Sequence, residues 1–185
     1  MNATQLSVTD EDRIETLQSY HVLDTRAEAS FDRITQLASR LFDVPIAVIS
    51  LVDNHRQWFK SKTGIEACST DRDIAFCDHA IRQDDIYEVL NPTTAPEFRD
   101  NPLVTGSMMN IRFYAGMPLR AYNGDKLGTL CLISETPREA LTEKERLMLK
   151  DLAAITMHQL ELRRASLNSM SLVHEAVREN RLVSV

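Results

Sequence analysis

Residues 45–64 read "PIAVISLVDNHRQWFKSKTG", and how this stretch is parsed decides the fold. Pro45 opens a mostly β-branched and aliphatic run, which predicts a buried strand over 45–53. Asp53-Asn54-His55-Arg56 supplies a charged turn, and a second strand is predicted over 57–62. Successive side chains of a strand alternate faces. Trp58, Lys60 and Lys62 are therefore expected on one face, with Gln57, Phe59 and Ser61 on the other. A face that mixes lysines with the protein's only tryptophan reads as half exposed, the lysine stems and indole covering a sheet edge. Structural cover is the first role this gives Trp58, and ligand contact the second.

Upstream lie two helical patterns. Thr9 can cap a helix over 10–22, with Asp12 placed as a capping-box acid and Ile14, Leu17 and His21 facing inward. Phe31, Ile34, Leu37, Ala38 and Leu41 form one stripe of a second helix over 29–42. Downstream, "IAFCDHAI" (74–81) predicts a short helix and "IYEVLN" (86–91) a strand, while "PEFRDNPLV" (96–104) allows a single helical turn. Two strands flank Asn123-Gly124-Asp125 within "IRFYAGMPLRAYNGDKLGTLCLIS" (111–134), a strong hairpin signal. Pro118 inside the first of them requires a bulge or an edge position. From Thr142 to Leu182 the pattern is helical, opened by a second capping box, Thr142-x-x-Glu145. These elements predict an α+β domain with antiparallel strands near 45–53, 57–62, 86–90, 112–120 and 127–134. Its core is expected to hold Ile46, Val48, Ile49, Leu51, Leu130 and Leu132.

The chain's 185 residues suit one domain with a real core, and 43% hydrophobic residues mark a globular composition. Asp and Glu (27) exceed Lys and Arg (21), giving a net charge of −6, which argues against a nucleic-acid-binding surface. No apolar run approaches the roughly 20 residues of a membrane span. The first residues, Met1-Asn2-Ala3-Thr4-Gln5, lack the basic and apolar regions of a signal peptide. Cys68, Cys77 and Cys131 form no Cys-x-x-Cys pair, so neither a metal site nor a disulfide framework is expected, and the cytoplasm is the expected setting.

Seven stretches, in this order and spacing, carry a family likeness: "LDT", "FDRITQLASRLFDVPIAVISLVD", "RQWFKSKTG", "FCDHAI", "NPLV", "IRFYAGMPL" and "GTLCLIS". Together they resemble the GAF domains of bacterial signalling proteins over residues 10–165. The resemblance implies a PAS-related central antiparallel sheet of five to six strands with helices on both faces and a long C-terminal helix. One face would carry the terminal helices, the other shorter helices and loops able to enclose a small molecule. Trp58 and Phe59 would lie on a strand at the sheet edge. The implied organisation is a tail over 1–9, the domain over 10–165 and a helical extension over 166–185. Such domains serve histidine kinase, diguanylate cyclase or phosphodiesterase outputs, which are the partners the resemblance implies.

Phe76, Cys77, His79, Phe98, Arg112 and Tyr114 are the candidate pocket residues. Cys77 and His79, two apart on a helix, point to different sides, which disfavours a catalytic pair or a shared metal. Tetrapyrrole-binding members attach their chromophore through a cysteine often followed at once by histidine; here Asp78 intervenes. His79 is the one histidine near the expected pocket, and neither haem nor bilin is expected. Another branch of the family reduces free methionine sulfoxide with several cysteines around one pocket. Cys77 could serve there, but Cys131 is expected in sheet packing and Cys68 in a polar loop. In the cyclic-nucleotide motif of the family, an asparagine and lysine pair with a distant Phe, Asp and Glu. This chain has Asn91-Pro92 and Phe98-Arg99-Asp100-Asn101, without the lysine and the final glutamate. Arg112 either pairs with an acidic ligand or forms an ion pair with Asp78 or Asp100. The resulting expectation is a non-catalytic sensory or regulatory module that binds a small molecule or partner. The alternative is a thiol-dependent sulfoxide reductase, and a third reading is a dimerisation scaffold whose pocket its own side chains fill.

A continuous helix over 142–182 would run about 60 Å at 1.5 Å per residue. A body of this size spans roughly 40 Å, so about 20 Å of helix must overhang it. Leu160, Leu167, Met170 and Val177, spaced by seven, three and seven, are the expected seam of a parallel homodimer that uses this helix together with the N-terminal one, with Arg163 and His174 as polar interruptions. A break near Ser166 is the competing expectation, since Ser166, Asn168, Ser169 and Ser171 are poor helix formers.

Overall fold

The computed structural model describes residues 9–183. The expected N-terminal tail, apart from Thr9, lies outside the described residues. The helices are α1 (Asp10–Ser19), α2 (Ala29–Leu41), α3 (Phe76–Ala80) and α4 (Glu143–Val183). The strands are β1 (Ile46–Val52), β2 (Arg56–Thr63), β3 (Ser69–Asp71), β4 (Tyr87–Val89), β5 (Phe113–Arg120) and β6 (Lys126–Ser134). They form one antiparallel sheet in the order β3-β2-β1-β6-β5-β4. All five expected strands are present. The sixth, β3, falls within the implied five to six strands, but its position was not foreseen, because "STD" is polar and carries no apolar alternation.

Alternation splits the core in two. Ala47, Ile49 and Leu51 of β1 join Leu130 and Leu132 of β6 under α1, α2 and α4. Ile46, Val48 and Val52 face the other way, with Cys131 and Ile133, under α3 and the loops that follow it. A central strand covered on both faces explains the unbroken apolar run at 46–52. β6 can lie this close to β1 because Gly128 has no side chain: a Cβ there would stand 1.9 Å from the Ser50 carbonyl oxygen.

Both capping boxes form. Thr9 Oγ1 accepts from the Asp12 amide at 3.2 Å while Asp12 accepts from the Thr9 amide at 3.1 Å. Thr142 and Glu145 do the same for α4 at 3.3 and 2.8 Å. α1 ends at Ser19, earlier than expected, and His21 takes a left-handed φ of 48° and is exposed. Tyr20 fills the core position expected of His21. On α2, Phe31, Ile34 and Ala38 are buried as expected, but Leu37 and Leu41 are exposed. Thr35 occupies the buried arc instead, within hydrogen-bonding distance (2.9 Å) of Ser61 Oγ.

The second strand departs most from expectation. β2 is not an edge, since β3 pairs with Arg56–Trp58 outside it. The register against β1 slips between Ile49 and Ser50, leaving Lys60 unpaired as a bulge. The bulge resets the alternation: Ser61 and Thr63 reach Thr35 on the α2 side, while Lys62 turns to the opposite side, to the carbonyls of Glu66 and Ala67. Trp58 is 8% exposed within the core under the terminal helices, and Lys60 is 3% exposed. The Lys60 ammonium donates to Thr25 Oγ1 (2.9 Å), the Arg26 carbonyl (2.8 Å) and Glu28 (2.6 Å), which satisfies all three of its protons.

Pro118 sits where β4 no longer covers β5, since that pairing stops at Gly116, so its missing N–H costs no ladder bond. α4 is continuous through Ser166, and Ser169 Oγ donates to the Ala165 carbonyl at 3.0 Å. Its first half buries Leu149, Leu152, Ala153, Thr156, Met157 and Leu160 against the body. Leu160, expected in an intermolecular seam, is 1% exposed and belongs to the chain's own core.

Candidate functional site

Under α3, an aromatic and thiol cluster gathers five of the six expected pocket residues. Phe76 stacks on Phe98 with centroids 3.9 Å apart and planes within 5°. His79 meets Phe98 edge-on at 4.7 Å, and Tyr114 lies 5.1 Å from Phe76. Tyr114 can lie along its own strand because residue 116 is glycine: a Cβ there would stand 2.3 Å from the Tyr114 hydroxyl. That hydroxyl reaches Cys77 Sγ at 3.4 Å, Thr129 Oγ1 donates to the same sulfur at 3.1 Å, and Cys131 Sγ approaches to 3.9 Å. Burial opposes ionisation of Cys77, but the donors converging on its sulfur outweigh it and hold the thiol at about 7. Its partner Cys131 is pushed up, first by that hydrogen bond to Cys77 and then by burial. Tyr114 is likewise raised by burial and by the facing sulfur.

Phe76, Cys77, Phe98 and Tyr114 are each at most 3% exposed, so here the sheet's α3 face is occupied by the chain's own side chains. Arg112 stands apart. Its guanidinium donates to the Val104 and Ile111 carbonyls, both at 2.9 Å, and to Asn110 at 2.5 Å. It forms neither of the ion pairs that were one of its two expected roles: Asp78 is held by two other arginines and Asp100 by Arg99.

Those arginines belong to a second feature, a cleft of about 520 Å³. The first turn of α1, the segment after β3, the end of α3 and the β5–β6 hairpin surround it. Arg13, Arg72, Arg82, Arg120 and Lys126 contribute positive charge to its wall, and Asp10 and Asp125 negative charge. Asp10 accepts from Arg13 at 2.8 Å and from Arg72 at 2.8 and 3.1 Å. Arg72 continues to Asp78 at 2.7 Å, and Arg82 meets the same carboxylate at 2.5 Å. The Arg72 hydrogen bonds, aided by Arg13, hold the Asp10 carboxyl far below the usual range. Burial works to raise Asp78, yet Arg72 and Arg82 prevail and lower it. Lys126 and Arg120 bind Asp84 at 2.8 and 3.0 Å and bring its carboxyl to about 2.

Two buried polar atoms on this wall have no hydrogen-bond partner among the described residues: Arg13 Nη2 and Asp125 Oδ1. The rest of each group is held. Arg13 Nη1 donates to the Val52 carbonyl at 2.7 Å, and Asp125 Oδ2 accepts from Thr16 and Asn123 at 2.5 and 2.7 Å. Sequence reasoning missed this cleft. Its cations come from separated segments, and the only local signals are Asp10-x-x-Arg13 and Asp78-x-x-x-Arg82, ordinary helix pairs. Asp125 reads from sequence as turn chemistry alone. Among the described residues no group of three or more His, Cys, Asp or Glu could hold a metal ion, and no helix is long and apolar enough to cross a membrane.

A family model described as "GAF domain" matches residues 26–160. The chain is 39% identical over 145 residues to a Pseudomonas aeruginosa protein named cyclic di-GMP phosphodiesterase. That match covers 78% of this chain but only 24% of the relative, so the chain spans about a quarter of the relative's length. Among solved structures, the GAF domain of an Acinetobacter phosphoenolpyruvate-protein phosphotransferase superposes with a TM-score of 0.62 at 16% identity, over 89% of this chain and 97% of that one. A free methionine-R-sulfoxide reductase from Neisseria meningitidis, solved with its substrate, superposes at 0.60 with 21% identity, over 90% and 99% of the two chains. At these identities the two structures speak for the fold alone.

Proposed function

Because the chain belongs to the GAF domain family, we propose that it is a non-catalytic regulatory module that pairs with a second copy in parallel through α4. One observation carries this reading. Ile155, Leu162, Met170, Val173 and Val177 are between 49% and 62% exposed. At about 100° per residue they fall within an arc of about 80°, one apolar stripe running from the body onto the overhang. Such a stripe on a continuous helix is stabilised by a partner helix. Leu167 lies off it, on the side of the buried Leu160. The relative at 39% identity supports a place beside a phosphodiesterase, with histidine kinase or diguanylate cyclase outputs as the other candidates. The free thiols of Cys77 and Cys131, so close together, suit a reducing cytoplasm.

Light scattering on the intact protein tests the pairing. The intact chain should be a dimer, and Met170→Glu/Val173→Glu should yield a monomer whose body melts as before. A monomeric intact protein, or a variant dimer equally tight, overturns it.

The second reading is a sulfoxide reductase, favoured by the lowered Cys77 thiol with a second sulfur at 3.9 Å. A substrate must reach that sulfur, and Cys77 is 3% exposed. Free methionine sulfoxide supplied with a dithiol should therefore remain unreduced. Turnover that disappears in Cys77→Ser would establish the enzyme instead.

A further inference from the structure

We propose that the cleft between α1 and the β5–β6 hairpin binds a small phosphate ester that also carries a hydroxyl or amino donor, a sugar phosphate or a nucleotide. This goes beyond the reading of the chain as a regulatory module that pairs through α4, and it places a ligand away from the cluster under α3. The first support is the pair of unpartnered atoms. Arg13 is 6% exposed and Asp125 4%, yet Nη2 of one and Oδ1 of the other lack any partner among the described residues. A buried donor or acceptor left unmade is costly, and native structures hold few of them. Both residues belong to the wall of the same cleft, with these two atoms buried in it. A ligand that offers an acceptor to Arg13 and a donor to Asp125 completes both.

The second support is charge. Arg13, Arg72, Arg82, Arg120 and Lys126 line the cleft. The carboxylates that face them are Asp10, Asp78, Asp84 and Asp125, leaving the cations in excess by one. Donor count favours an anion further. Arg120 gives one N–H to Asp84, out of the five that a guanidinium carries, and its side chain is 46% exposed. The Arg82 side chain is 69% exposed and, among the described residues, joined only to Asp78. Planar guanidinium forks with unused donors match phosphate oxygens. The volume, about 520 Å³, lies within the range of small-molecule sites.

Calorimetry on the full chain with ribose 5-phosphate, AMP, inorganic phosphate and ribose tests the site. Ribose 5-phosphate or AMP should bind, inorganic phosphate at least tenfold more weakly, and ribose not at all. Arg82→Gln/Arg120→Gln, two exposed changes, should weaken ribose 5-phosphate at least tenfold in a protein that still unfolds cooperatively, Asp78 keeping Arg72 and Asp84 keeping Lys126. Asp125→Asn should weaken ribose 5-phosphate but leave the response to inorganic phosphate unchanged. Arg13→Lys should also weaken it; where that variant fails to fold, the exposed arginine pair still decides. No binding of either ester at millimolar concentration overturns the proposal. Unchanged binding by the double variant does so too, as does inorganic phosphate binding as tightly as the ester. A protein that dimerises but binds no ester loses this site alone, whereas one that binds the ester as a monomer loses the pairing of α4 alone.

Discussion

Single positions in the α3 layer hold neighbours in place by what they lack as much as by what they carry. Gly116 leaves room for Tyr114, and Tyr114 in turn donates to Cys77. Gly116→Ala should therefore lower stability by about 1–3 kcal/mol in urea unfolding, because the displaced ring is fully buried and has nowhere to relax. A loss below about 0.5 kcal/mol would mean that the ring moves freely and the thiol cluster is loosely packed. Much of this cluster was legible in the sequence: Phe76, Cys77, His79, Phe98 and Tyr114 do come together. Cys131 was taken for sheet packing alone, yet its sulfur also approaches Cys77. A residue on β6 and one on α3, 54 positions apart, meet only through the sheet order, which local pattern does not encode.

At the scale of the element, β2 shows why alternation can mislead. The strand itself, its hairpin to β1 and its length are readable from residues 45–64. Which side each residue faces is not, because a one-residue bulge at Lys60 reverses the parity of all that follows. Lys60 itself stays on the side of Trp58, but α2 and the segment before it cover that side, so an apparent solvent-facing lysine is a buried one tied to Glu28, which Arg163 of α4 also holds at 2.8 Å. Magnitude separates the two roles. An exposed lysine pair contributes at most about 1 kcal/mol, whereas removing one partner of a buried pair costs about 3–5 kcal/mol. Glu28 keeps Arg163 and is partly exposed, so Lys60→Met should cost about 2 kcal/mol by chemical denaturation, and a cost under about 0.5 would return Lys60 to the surface role. The ends of helices were easier to read. Both capping boxes formed as spelled, because a capping box is a contact between residues three apart and needs no tertiary information.

Across the whole molecule, Arg72 ties α1 to α3 through Asp10 and Asp78. Both carboxyls are depressed in the folded protein. Their contribution is therefore complete above the unfolded value of about 3.9 and fades as pH falls toward the folded values. The melting temperature should hold to about pH 5 and fall below about pH 4, and Arg72→Gln should flatten that fall. A variant with the same acid profile as the parent would show that the network does not couple to stability. The layered architecture was legible because hydrophobic periodicity reports which faces are covered. The cleft was not, since its charges converge from four places along the chain. One feature of the fold also sets an angle. α4 is clamped to the body by Leu149, Leu152 and Leu160 and continues unbroken to Val183. Helical pitch thus gears the direction of Met170, Val173 and Val177 to the orientation of the sheet. One residue inserted after Leu160 would swing that direction by about 100°, while seven would restore it to within about 20°. Torsion applied at the body is delivered along the helix as rotation, and the number of residues between them fixes its phase.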